Sequence, residues 1–573
     1  MNSNNFFHDN QDIGFHLKNM DLSRIVELKE DNFSDYKTHD YAPVDLPDTI
    51  DNYKQVLSIV GDICGNHIAP RATDVDLEGA TFKDGEVHYA KGTSEAIDVL
   101  TKSELMGMTL PRKYGGLNLP KIVYSMAIEM ISRADASLMN LVGLQDIADT
   151  ICKFGSEEQK ERLLPDFAKG KLSGAMDLTE PDAGSDLQAI MIKASMEKDG
   201  NWYLNGVKRF ITNGCADVHL VLARSEEGSS DGRGLSLFIY ERDKNMKIRR
   251  IEHKLGIHGS PTCELQFNKA PCELLGRRKM GLIRYTMSLM NGARLGIGAQ
   301  SLGIAEAAYR EAKNYAEARS QFKRPIRQFS AVYEMLTDMK VNIEAGRSLL
   351  YETSRIVDIK EGLEERIEKY PERKSDLRDE LSRYSKLAGL YTPLVKAFNS
   401  EMGNRVCNDA IQIHGGVGFT TEFNVERHFR DQRITNIYEG TTQMQVVAGA
   451  GGVIKGTVFE RLNEYESTHN FEKIESIFRR AKKLRGDLEM AIGHIKQKDD
   501  SIFSEFHARR IVEMATDTII SYLLCIDAIK DERKEKVCTI FVGKAEGRVK
   551  QHMDYILSDD LSIVENHTEI IDT

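Results

Sequence analysis

From about residue 50 to 170, apolar residues recur at three- and four-residue steps. The stretches "IDNYKQVLSIVGDICGNHI" and "PKIVYSMAIEMISRADASLMNLVGL" show this and predict amphipathic helices. The Gly- and Pro-bearing stretch "LPRKYGGLNLP", 110–120, separates them. From about 171 to 275 the period shortens. "NWYLNGVKRFITNG", "HLVLARS", "LSLFIYERD" and "CELQFNKAP" are short, β-branched or aromatic, and bounded by Gly, Asn and Pro, which predicts an antiparallel sheet or barrel. The helical period returns from about 280, with long segments around 283–318 and 328–355. Residues 358–384 are dense in charge and predict a solvated helical hairpin broken at Pro371.

Beyond 455 the pattern predicts an added helical module. Phe471, Ile474, Phe478, Ala481, Leu484, Leu488, Ile492 and Ile495 fall on one helix face. "RRIVEMATDTIISYLLCIDAIK" is apolar over more of its circumference and is expected at the centre of a small bundle. Helices, then strands, then helices, then a bundle make an α+β order rather than the alternation of a doubly wound nucleotide-binding sheet. The expected divisions are a polar segment 1–49 wrapping the main body, a helical domain 50–170, a β domain 171–278, a helical bundle 279–452 with the charged insertion 358–384, and the module 453–573.

The 573 residues carry 41% hydrophobic and 29% charged positions, an ordinary globular balance, and length enough for several domains. A formal net charge of −11 opposes non-specific binding to nucleic acid or an anionic membrane. The eight cysteines are scattered with no C-x-x-C pair, so reduced thiols in a cytoplasm are expected. No basic, then apolar leader and no run of 18 apolar residues predicts a signal peptide or a membrane span. Fifteen histidines without H-E-x-x-H spacing give no support to a metal site. "GIGAQSLG", 296–303, misses a dinucleotide fingerprint, because Ser301 stands at the third glycine position in a helical context.

Five segments belong together. "AMDLTEPDAGSDL" (175–187), "RFITNG" (209–214), "ARSQFKRPI" (318–326), "AIQIHGGVGFT" (410–420) and "IYEGTTQMQ" (437–445) resemble, in order and separation, the motifs of the acyl-CoA dehydrogenase family. The resemblance covers roughly 50–450. The overall length is similar to the family's long-form branch, which includes 3-methylmercaptopropionyl-CoA dehydrogenase and large fatty acyl-CoA dehydrogenases. It implies an FAD enzyme that converts an acyl-CoA to its trans-2-enoyl-CoA, takes part in fatty or carboxylic acid degradation and passes electrons to an electron-transferring flavoprotein.

Residue by residue, the resemblance implies that Glu439 abstracts the α-proton. A carboxylate suits this when desolvation lifts its pKa toward working pH. The other position at which relatives carry the base falls on Ala293, which is not acidic. Met176, Leu178, Thr179, Gly184, Ser185, Phe210 and Thr212 are implied on the flavin side, with Phe210 where many relatives have a tryptophan. Arg319, Phe322, Gln412, Gly415 and Gly416 are implied as FAD contacts reaching into a neighbouring subunit, and Thr441 and Gln443 as ADP contacts. Ser330 replaces the glutamine usual after the Arg–Phe segment. Ser185, Arg294 and Gly440 are implied on the substrate side. A site shared in this way requires at least a dimer, and the C-terminal module favours a homodimer over a tetramer. Two other functions stay open: an acyl-CoA oxidase, and a nucleic-acid-associated flavoprotein. The second is disfavoured, because residues 451–573 carry 19 Lys and Arg against 23 Asp and Glu.

Overall fold

The computed structural model describes residues 4–573. Four long helices, Lys121–Ala134, Met287–Ala318, Ser330–Lys369 and Lys374–His414, lie side by side around one apolar core. The last of these ends at Gly415, whose φ of +64° is open to glycine and closed to most side chains.

The charged hairpin turns at Pro371, between Ser330–Lys369 and Lys374–His414. It is not solvated on both faces. Asp358, Ile359, Leu363, Arg366, Leu377 and Tyr384 are buried, and the segment 22–31 lies against part of this hairpin. Arg366 donates to the Glu27 carbonyl at 2.8 Å, and Arg24 forms a salt bridge with Glu380 at 2.6 Å. Charge density alone cannot show which side of a helix another segment will cover.

The β domain is a closed barrel. The strand Val218–Arg224 pairs with Leu235–Glu241, which pairs with Thr262–Leu274, then Trp202–Thr212, then Lys193–Met196, and a single bridge from Lys193 to Arg224 closes the ring. Met246–Ile251 adds to the side of Thr262–Leu274. Two pairings depart from the antiparallel expectation: Gly174–Asp177 runs parallel to Val218–Arg224, and so does Lys193–Met196 at the closing bridge. Between Gly174–Asp177 and Val218–Arg224 the chain makes Lys193–Met196 and Trp202–Thr212, and so returns in the same direction.

The added segments pack on the bundle and against each other. The helix Ser501–Ala528 is buried along most of its length among Glu475–Lys498, Glu532–Leu557 and the helices of the main body. The residues expected on one face from Phe471 to Ile495 all lie against this core. The helix Gln11–Asn19 buries Asp12, Ile13, His16 and Leu17. All eight thiols are free, Cys525 and Cys538 with Sγ atoms 3.5 Å apart. Among the described residues, no helix is long and apolar enough to cross a membrane.

Candidate active site

Glu439 lies in the loop before the helix Thr442–Ile454. Thr441 is that helix's N-cap and accepts from the Met444 N–H at 3.3 Å, so Glu439 stands outside the first turn. The Glu439 backbone is left-handed, with φ +55°. Non-glycine residues reach that region at a cost, and they concentrate at functional sites. The residue keeps some exposure as a whole, but its Oε2 is sealed from solvent and has no hydrogen-bond partner. Burial pushes the carboxyl up to about 7, against the pull of Lys396 and Arg294.

Neighbours both near and far in sequence hold this loop. Lys396, fully buried on the helix Lys374–His414, donates to the Gly440 carbonyl at 2.6 Å. Gln445 Nε2 donates to the same carbonyl at 2.9 Å and to that of Glu439 at 3.2 Å. The Tyr438 hydroxyl meets Gln300 and lies 3.2 Å from Asn140 Oδ1; Gln300 Nε2 donates to the same Asn140 oxygen at 3.0 Å. Arg294 donates from Nη1 to Asn291 at 3.2 Å, and its Nε is buried without a partner. Burial lowers the Arg294 pKa, and Glu439 partly restores it. Lys396, Gln445, Gln300 and Asn140 were not among the residues expected from sequence. A signal existed for Lys396: it is a lone lysine in "LYTPLVKAF", where Leu390, Tyr391, Leu394 and Val395 are all buried.

A second group sits on the barrel. Met176 lies on the strand Gly174–Asp177, and Leu178 and Thr179 follow it. The Thr179 carbonyl accepts from the Arg209 N–H at 3.0 Å. Lys208, fully buried, donates to the Leu178 carbonyl at 2.7 Å and pairs with Glu180 at 3.1 Å. Between Lys208 and Ile211 the pairing with Thr262–Leu274 slips. Such a bulge re-aims a side chain, and Phe210, at φ +60°, turns out half exposed. Thr212 pairs with Thr262, and Gly184 and Ser185 are exposed in the turn after a bridge between Glu180 and Ala183.

The third group lies at one end of the helical bundle. Arg319 and Phe322 sit in the hairpin after Met287–Ala318; Gln412, Gly415 and Gly416 lie where Lys374–His414 ends. Tyr315 stacks on His414 at 4.3 Å and brings these two ends together. All five residues are exposed, as is Gln443, and Phe322 keeps 88% of its surface and Phe419 90%. Among the described residues, no hydrogen bond joins this group to the loop of Glu439 or to the barrel residues.

Family models match most of the chain. "Acyl-CoA dehydrogenase, N-terminal domain" matches 51–171, the middle domain 175–270, the C-terminal domain 283–370 and 376–453, and "Acyl-CoA dehydrogenase C terminal" 454–561. The chain is similar to 3-methylmercaptopropionyl-CoA dehydrogenase of Ruegeria pomeroyi, at 36% identity over 71% of this chain and 70% of that one. It is similar to butyryl-CoA dehydrogenase from Megasphaera elsdenii at 32% identity, with a TM-score of 0.59 over 70% of this chain and 98% of that one. An acyl-CoA dehydrogenase complexed with FAD from Bacillus anthracis shares the fold at a TM-score of 0.75 over 90% of both chains, with 24% identity.

Proposed function

We propose, from the premise that this chain belongs to the acyl-CoA dehydrogenase family and is an FAD-dependent oxidoreductase, that Glu439 takes the α-proton of an acyl-CoA thioester on the way to the trans-2-enoyl-CoA. The observation that carries this reading is the Glu439 carboxyl itself. One oxygen is sealed and unpartnered, on a loop pinned by Lys396 and Gln445. With its pKa raised to about 7, it is a stronger base than a solvated carboxylate and is still largely ionised just above neutrality.

The residues on the barrel rim suit a flavin. Phe210 offers an exposed aromatic face, while Thr179, Ser185 and Thr212 offer hydroxyl donors and acceptors. Bound there, FAD would supply the acceptor for the β-hydride. The chain's own contribution is to orient the thioester, exclude water from the Glu439 carboxylate and hold the α-proton on that carboxyl. The electron acceptor in this reading is an electron-transferring flavoprotein. The exposed group of Arg319, Phe322, Gln412, Gly415 and Gly416 supports a homodimer in which each copy completes its partner's cofactor site.

The test is anaerobic flavin bleaching with a panel of acyl-CoAs. At least one should bleach the wild-type enzyme, at a rate that rises with pH through about 7, because below that pH Glu439 holds a proton and cannot accept another. Glu439→Gln should retain FAD and lose roughly a thousandfold in rate. Bleaching at the wild-type rate in that variant would place the base elsewhere.

A further inference from the structure

We propose that Lys396 is a positioning residue for this chemistry: from the helix Lys374–His414 its buried ammonium fixes the Gly440 carbonyl and supplies the positive charge against which Glu439 ionises. The inference rests on the reading of Glu439 as the base.

The geometry is specific. Lys396 has no exposed surface and makes one side-chain hydrogen bond, at 2.6 Å, to the carbonyl next to Glu439. An ammonium has three donors, of which this bond uses one; its charge acts on Glu439 through space. The ionisable groups around the pair are few. Arg294 faces it from the helix Met287–Ala318, Glu401 from the lysine's own helix, and Tyr438, itself facing Asp431, from the loop. The helix Thr442–Ile454 contributes the neutral Gln445.

Burial lowers Lys396 to about 7; Glu439 and Glu401 oppose that fall, and Arg294 adds to it. Glu439, raised to about 7, titrates in the same range. Lys396 is therefore charged on the acid side of the range in which Glu439 ionises, and there its charge favours the carboxylate. The lysine gives the base a partner whose charge favours the carboxylate without making it a permanently weak base, as a solvated salt bridge would.

The test is the pH profile of anaerobic flavin bleaching in the FAD-loaded enzyme, using an acyl-CoA that the wild type oxidises. In Lys396→Gln and Lys396→Met the charge is gone, so the midpoint of the acid limb should move up by about one pH unit or more. Lys396→Arg keeps donors on the same helix turn and a cation that stays charged throughout the range, and should keep FAD and hold the midpoint at or below the wild-type value. Unmoved midpoints in FAD-loaded Gln and Met variants would reduce Lys396 to a packing role and overturn the inference. A full-unit rise in Lys396→Arg would overturn it too, even where the other two variants do not accumulate. Glu439→Gln serves as the control. If it bleaches normally, the reading of the base has failed whatever Lys396 does; if it is inactive while the Lys396 profiles stay put, only the role given to Lys396 has failed.

Discussion

At Gly440 the function of the loop comes down to one missing methyl group. Its φ of +89° suits glycine, and a Cβ there would stand 2.7 Å from Gln445 Nε2, the group that holds the Glu439 and Gly440 carbonyls. Gly440→Ala should therefore cost about 1–2 kcal/mol in stability and displace the carboxyl. Paired urea denaturation and bleaching rates check this: we expect a lower midpoint and a rate at least roughly tenfold lower. Glu439 was legible in "IYEGTTQMQ" because the motif is contiguous. Its surroundings were not. In sequence it has apolar and hydroxyl neighbours, yet in space the two charges that shape its titration are Lys396 and Arg294, 43 and 145 positions away. Phe210 shows the same limit: its residue type was readable, but only the slipped pairing with Thr262–Leu274 turns its ring outward.

Helix periods were readable at the level of elements; their ends and coverings were less so. The helix Lys121–Ala134 follows Pro120, which offers no side-chain cap. Its first N–H groups are taken instead by Asp358, from the middle of Ser330–Lys369, at 2.6 Å to Lys121 and 2.9 Å to Ile122. A cap borrowed from more than 200 residues away has no local signature. Burial outweighs these two bonds and pushes the Asp358 carboxyl up to about 7. Asp358→Ala should destabilise the protein by about 1–2 kcal/mol, read as a lower thermal midpoint. The same helix carries the start of the charged hairpin, whose buried side could not be read from charge density, because a run of Glu, Lys and Arg looks alike whether one face is covered or none.

Across the whole molecule, the first and last parts of the chain are tied through a buried charge cluster. Arg347, fully buried, meets Asp12 at 2.5 Å, Glu129 at 2.6 Å and Glu306 at 3.1 Å, while Lys534 pairs with Asp12 and with Glu344 at 2.9 Å. His16 lies in this cluster, and burial lowers it to about 4 from an ordinary 6.5, despite Asp527 and Asp12. As pH falls from about 6.5 toward 4, the unfolded chain gains a proton that the folded one refuses, so up to about 3 kcal/mol of stability is lost over that window. His16→Gln should reduce the drop in urea midpoint between pH 7 and pH 5; an unchanged drop would mean that the cluster's carboxylates alone set the acid limit.

The sequence by itself determined the order of helical and β regions, the central place of the helix Ser501–Ala528 and the choice of Glu439 as the proposed base, because periodicity and contiguous motifs are local properties of the chain. Tertiary structure alone decided the parallel strand pairings, the partly covered hairpin, the borrowed cap and the lysine beneath Gly440. Each depends on which distant segment arrives at a given surface, and burial and Coulomb interaction act through that distance in space, whatever the separation along the chain.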